Sequence, residues 1–193
     1  MLLLSETLTS TPVLSLQSGA ELAQTAEPII DPRDLTIEAF YVTGPVSDGP
    51  LVLHVSDIRE TGNLGHIVDD STKLMPLDDL VRLQQIIDFG FSLVGNMVFD
   101  ERGNKLGKVS DYSYEPGSYT VQQLYIKQPI LKRVAATSAI VRRTQIISVA
   151  NEKIIVRSPT IRDQISKKAN EAQSFVNPFR GQSRPEPESF KAD

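Results

Sequence analysis

A repeat constrains this chain more than any other feature. Residues 96–127 read as strand, polar glycine turn, strand, acidic-Pro-Gly turn, strand, and a diluted copy lies 84 positions upstream. That offset sets Gly19-Ala-Glu-Leu22 on Gly103-Asn-Lys-Leu106, Pro32 on Pro116, Thr36 on Thr120, Tyr41 on Tyr125 and Pro45 on Pro129, with no gap between residues 19 and 45. Asp31 falls on Glu115, Ile37 on Val121 and Val42 on Ile126, and an offset of 82 sets Ser56 and Ile58 on Ser138 and Ile140. Turn residues and strand formers recur in one order, as expected of a single supersecondary unit used twice.

The local chemistry agrees. Asp100-Glu-Arg-Gly-Asn104 is a hairpin-type turn after the apolar run 97–99. Gly107 interrupts a strand pattern, where a missing side chain admits a close neighbour. In Glu115-Pro-Gly-Ser118 the proline fixes φ and the glycine accepts positive φ. Residues 119–127 alternate with one slip, which predicts a bulge.

The ordered set Val94, Gly95, Val98, Asp100, Gly103, Leu106, Gly107, Val109, Asp111, Leu124 and Ile126 resembles the PRC-barrel family, the module of the photosynthetic reaction centre H subunit and of the ribosome maturation factor RimM. The upstream copy departs from it, with Ala23 for the second glycine and Glu27 at the place of Asp111. The resemblance implies a mainly β fold of two tandem small PRC-like barrels with a linking helix and a C-terminal helix. The expected parts are a first, divergent barrel over 1–75, a linking helix over 76–90, a second barrel over 91–157, a C-terminal helix over 158–180 and a disordered tail over 181–193, which is rich in Pro, Glu and Ser.

Two units of about 75 residues sit near the lower limit for an independent core and should pack on one another. Met1-Leu-Leu-Leu4 lacks a basic flank and is expected to enter the first barrel rather than act as a signal peptide. Pro76 is expected to open the linking helix, with Leu77, Leu80, Val81, Leu83, Ile86 and Ile87 as a stripe facing the barrels. Ile161, Ile165, Ala169, Ala172 and Val176 form a thinner stripe in the C-terminal helix.

Charge divides unevenly along the chain. Residues 1–100 carry a net −11, residues 101–156 a net +5 and residues 157–193 a net +2. No acid lies between Glu115 and Glu152, a span that holds Lys127, Lys132, Arg133, Arg142 and Arg143. In one reading an acidic and a basic barrel attract each other. In the other, those five cations are the candidate partner-binding residues for RNA, acidic lipid or an acidic protein. The first is preferred, because five cations on strands and loops need not share a face.

Signals for catalysis are weak. His54 and His66 are separated by a polar loop and have no cysteine nearby, since the chain has none. That absence excludes disulfides and thiolate metal sites and suits a cytoplasmic protein. Asp69-Asp70 and Asp78-Asp79 lack the spacing of a calcium loop and read as solvated turn and helix-start carboxylates. Gly103-Asn-Lys-Leu-Gly-Lys has no following helix to cradle a phosphate. Tyr112, Tyr114, Tyr119 and Tyr125 could stack on nucleic acid but suit a core better. No run reaches the length of a transmembrane helix. Neither cofactor nor catalytic residue nor metal ligand is expected. The expectation is a non-catalytic adaptor for a protein partner. The alternative is an RNA- or ribosome-associated factor using the basic second barrel, with peripheral membrane contact as a further partner class.

Overall fold

In the computed structural model the described residues are 1–44, 51–127 and 139–157. The strands are β1 (Leu3–Leu4), β2 (Pro12–Ser15), β3 (Glu21–Asp31), β4 (Thr36–Thr43), β5 (Leu51–His54), β6 (Glu60–Gly62), β7 (Gly65–Val68) and β8 (Leu74–Pro76). The helix α1 (Val81–Asp88) precedes β9 (Met97–Asp100), β10 (Lys105–Glu115), β11 (Thr120–Lys127), β12 (Ala139–Arg142), β13 (Ile146–Val149) and β14 (Lys153–Val156). The protein is mainly β. Met1–Ser158 form one compact unit.

Two closed barrels were expected, but the strands pair into one 14-stranded sheet whose main path, β13-β14-β9-β10-β11-β4-β3-β2-β7-β6, does not return on itself. The reason lies at the path's centre. Thr36 of β4 pairs with Thr120 of β11, Ile37 N donates to Tyr119 O and Val121 N donates to Leu35 O, each at 2.9 Å. These residues correspond at the offset of 84, so the two long hairpins join through equivalent backbone groups.

Each hairpin follows from its turn. β3 and β10 both span 11 residues and begin 84 positions apart. Their partners share a register: Asp31↔Thr36, Ile30↔Ile37, Ile29↔Ala39 and Pro28↔Phe40 in one, and Glu115↔Thr120, Tyr114↔Val121, Ser113↔Gln123 and Tyr112↔Leu124 in the other. A bulge falls between Ile29 and Ile30 and again between Ser113 and Tyr114, where an extra residue bends the strand. Both turns end on a buried side chain in the left-handed region, Leu35 at φ 54° and Tyr119 at φ 52°. That strained conformation aims each side chain into the core. The parallel pairs β2–β7 and β9–β14 also correspond.

Two details depart from the sequence reading. Met1–Leu4 do not enter the first half: Leu3 and Leu4 pair with Tyr114 and Ser113 of β10. They are held there by Ser5 Oγ, which donates to Asp111. The helix over 76–90 shrinks to α1, because Leu74–Pro76 is drawn into β8 against β5. A 3-10 turn, Leu77–Asp79, separates β8 from α1. Gly90, at φ 66°, donates to Ile87 O and stops α1. The C-terminal helix over 158–180 and the tail over 181–193 lie outside the described residues.

The main core draws on both halves, with Leu8, Val13, Ile37, Phe40 and Leu53 beside Val98, Tyr114, Leu124, Ile126 and Ile154. A smaller cluster joins Leu83 and Ile86 of α1 to Ile29, Ala39 and Val52, so α1 seats on the outer face of β3, β4 and β5. None of the described helices is long and apolar enough to cross a membrane.

Candidate interaction surface

The outer face of the second half is built from the same pleat as the seat of α1. Ser113, Gln123 and Ile140 stand where Ile29, Ala39 and Val52 stand in the first half, on β10, β11 and β12. Side chains two apart share a face, so Ile140 and Arg142 of β12 lie beside Tyr125 and Gln123 of β11. Ser113 is buried, and β1 pairs beside it. Ile140 is 50% exposed, while its counterpart Val52 is 0% exposed under α1.

A cleft of about 380 Å³ opens on this face, lined by Leu2, Glu115, Gln122, Gln123, Arg142, Arg143 and Thr144. Arg142 is exposed. Its backbone N–H donates to Gln145 Oε1 at 2.9 Å, which fixes the turn after β12. Arg143 is half-buried and donates to Val121 O at 3.4 Å. The first half supplies a counter-ion at the matching place: Glu38 lies 3.8 Å from His54 Nε2. Gln122 replaces Glu38, and His54 becomes Arg142. Among the described residues, no carboxylate lies within 4 Å of the guanidinium of Arg142 or Arg143. Glu115 lines the cleft, but its carboxylate accepts from Ser118 Oγ at 2.9 Å.

Three of the five expected cations, Lys127, Arg142 and Arg143, lie among the described residues. Lys127 pairs with Lys108, four residues along β11 from the Gln123↔Arg142 pair, or about 13 Å away. Lys132 and Arg133 lie outside the described residues. Arg142 and Arg143 are the two that share a cleft. Sequence reasoning missed Gln122, Gln123, Thr144 and Leu2. The offset of 84 sets Gln122 on Glu38 and holds the signal for the lost counter-ion.

The titratable groups elsewhere serve structure. His66 is 1% exposed. Its Nδ1 lies 2.9 Å from Thr61 Oγ1, its ring stacks on Phe40, and its Nε2 has no hydrogen-bond partner. Burial pushes its imidazole down to about 4. Thr61 Oγ1 also reaches the Tyr119 hydroxyl at 2.8 Å.

Asp31, Asp34 and Glu38 bring carboxylate oxygens within 4.8 Å of one another. The guanidinium of Arg33 grips Asp31 and holds that carboxyl below its usual range against the opposing effect of burial. Asp69 binds Arg59 in bidentate fashion, and Asp70 caps the 3-10 turn Ser71–Lys73. Asp100 accepts from the Arg102 and Asn104 backbone and from Asn104 Nδ2, closing the Gly103 turn. Tyr112, Tyr114 and Tyr119 are buried and present no stacking platform.

Compared with protein-family models and with curated proteins, the chain matches none.

Proposed function

We propose that the protein is a non-catalytic adaptor built from two copies of a PRC-type β unit joined in one sheet, with the outer face of the second copy receiving a protein partner. The duplication is supported by equal strand lengths, equal register and the paired left-handed residues Leu35 and Tyr119. The observation that carries the adaptor reading is the contrast between two equivalent faces. One is sealed by α1 over Ala39 and Val52. The other leaves Ile140 half exposed beside Arg142 and a cleft.

An exposed apolar residue beside an arginine that has no ion-pair partner among the described residues suits the centre of a protein interface better than a solvated surface. The burial of Tyr112, Tyr114 and Tyr119 disfavours an RNA-stacking role, as does the distance of Lys127 from Arg142. His54 accepts the Ser56 backbone N–H and so caps the 3-10 turn Val55–Asp57. Glu38 stands 3.8 Å from its Nε2, too far to orient the ring by a hydrogen bond, and His66 is locked in the core.

The test is cross-linked capture on the full chain followed by mass spectrometry, with and without ribonuclease. A stoichiometric protein partner that survives ribonuclease is the expected result. Recovery of RNA-dependent material alone would shift the reading to an RNA-associated factor.

A further inference from the structure

We infer that the occupant of this face is an acidic amphipathic helix of the partner, lying over β11 and β12 as α1 lies over β4 and β5. The inference deepens the adaptor reading and rests on it. The first half displays how such a face is covered: α1 sets Leu83 and Ile86 on Ile29, Ala39 and Val52. The matching residues in the second half are Ser113, Gln123 and Ile140, in the same register on the same pleat. Ser113 is buried beside β1, so the accessible part of this face is Gln123 and Ile140, and Leu2 adds a second apolar contact at 40% exposure.

Charge selects the occupant. Gln122 stands where Glu38 faces His54, Glu115 of the same cleft is engaged by Ser118, and His54 gives way to the guanidinium of Arg142. An arginine fork binds a carboxylate with two parallel hydrogen bonds. A helix presenting Asp or Glu beside an apolar stripe satisfies both features. The chain's own residues 157–193 carry a net +2 and lack that complementarity. The same holds for a basic partner surface.

The test selects binders from a display library of helical peptides, randomised at surface positions, against the full chain. Expected winners carry apolar residues at i, i+3, i+4 and i+7 flanked by Asp or Glu. Arg142→Glu should weaken the best winner roughly tenfold or more, and a winner with its acids changed to Lys should recover binding to that variant. Ile140→Asp, a second exposed position, should weaken it independently. Thermal unfolding of both variants should match the wild type, since both side chains are exposed.

The proposal is overturned if no winner emerges, if winners lack acids, or if Arg142→Glu leaves binding unchanged. It is also overturned if wild-type protein self-associates through Arg142, if binding requires removal of residues 158–193, or if RNA displaces the peptides. A partner captured by the wild type and retained equally by Arg142→Glu would sink this inference and leave the adaptor reading standing. Peptide winners without any captured partner would overturn the adaptor reading and with it the partner-helix inference, leaving only a face that binds acidic helices.

Discussion

At the scale of single residues, His66 and Gly107 show how little freedom the core leaves. His66 is neutral in the folded protein, because burial lowers its pKa from 6.5 to about 4. The unfolded chain binds its proton more readily, so the stability from the neutral buried ring is whole above pH 6.5. It is lost progressively as pH falls toward 4. At pH 5 the loss is about 2 kcal/mol. Urea unfolding at pH 7.5 and pH 5 should show that difference in the wild type and a much smaller one in His66→Phe, which keeps a ring against Phe40. Equal pH slopes in the two proteins would mean that His66 is hydrated.

Gly107 has φ 150°, and a Cβ there would lie 2.4 Å from Lys127 O. Gly107→Ala should cost about 3 kcal/mol by strain and overpacking. Gly103→Ala should cost only about 1 kcal/mol, since a Cβ at Gly103 meets nothing within 4 Å. Chemical denaturation of both variants checks the contrast.

At the scale of elements, the long hairpins were legible and their partnerships were not. Glu115-Pro-Gly-Ser118 and Asp31-Pro-Arg-Asp34 dictate local backbone angles, so β3–β4 and β10–β11 fell where turn chemistry put them. β8 was hidden because Leu74–Pro76 owes its strand conformation to β5 rather than to its own three residues. Pro76 therefore closes a strand, although in sequence it looks like a helix start. The site was half legible: the offset of 84 held the exchange of Glu38 for Gln122, but residue order could not reveal that Lys127 lies about 13 Å from Arg142. The hairpin junction yields a symmetric prediction. Ile37 and Val121 each donate one backbone hydrogen bond across it, so Ile37→Pro and Val121→Pro should each lose about 3 kcal/mol or more, by similar amounts. Markedly unequal losses in urea would show that the two hairpins do not join as equivalents.

At the scale of the whole molecule, the N-terminal segment of the first half covers part of the second. The residues before β2 cross to the second half, where Leu3 and Leu4 extend β10 and Thr7 Oγ1 lies 3.1 Å from the Tyr114 hydroxyl. Leu8 follows in a 3-10 turn, is 0% exposed, and belongs to the core that both halves share. Units of this size gain most of their stability from such shared burial. Leu8→Ala should therefore cost about 2–5 kcal/mol, and the cost should fall on both halves. The measurement is amide hydrogen exchange across β3 and β10 under native conditions. Protection should drop in both strands together, because the opening that exposes one exposes the other. If β3 loosened while β10 kept its protection, the halves would be separate cooperative units, and the N-terminal segment would be a surface strap rather than part of a common core.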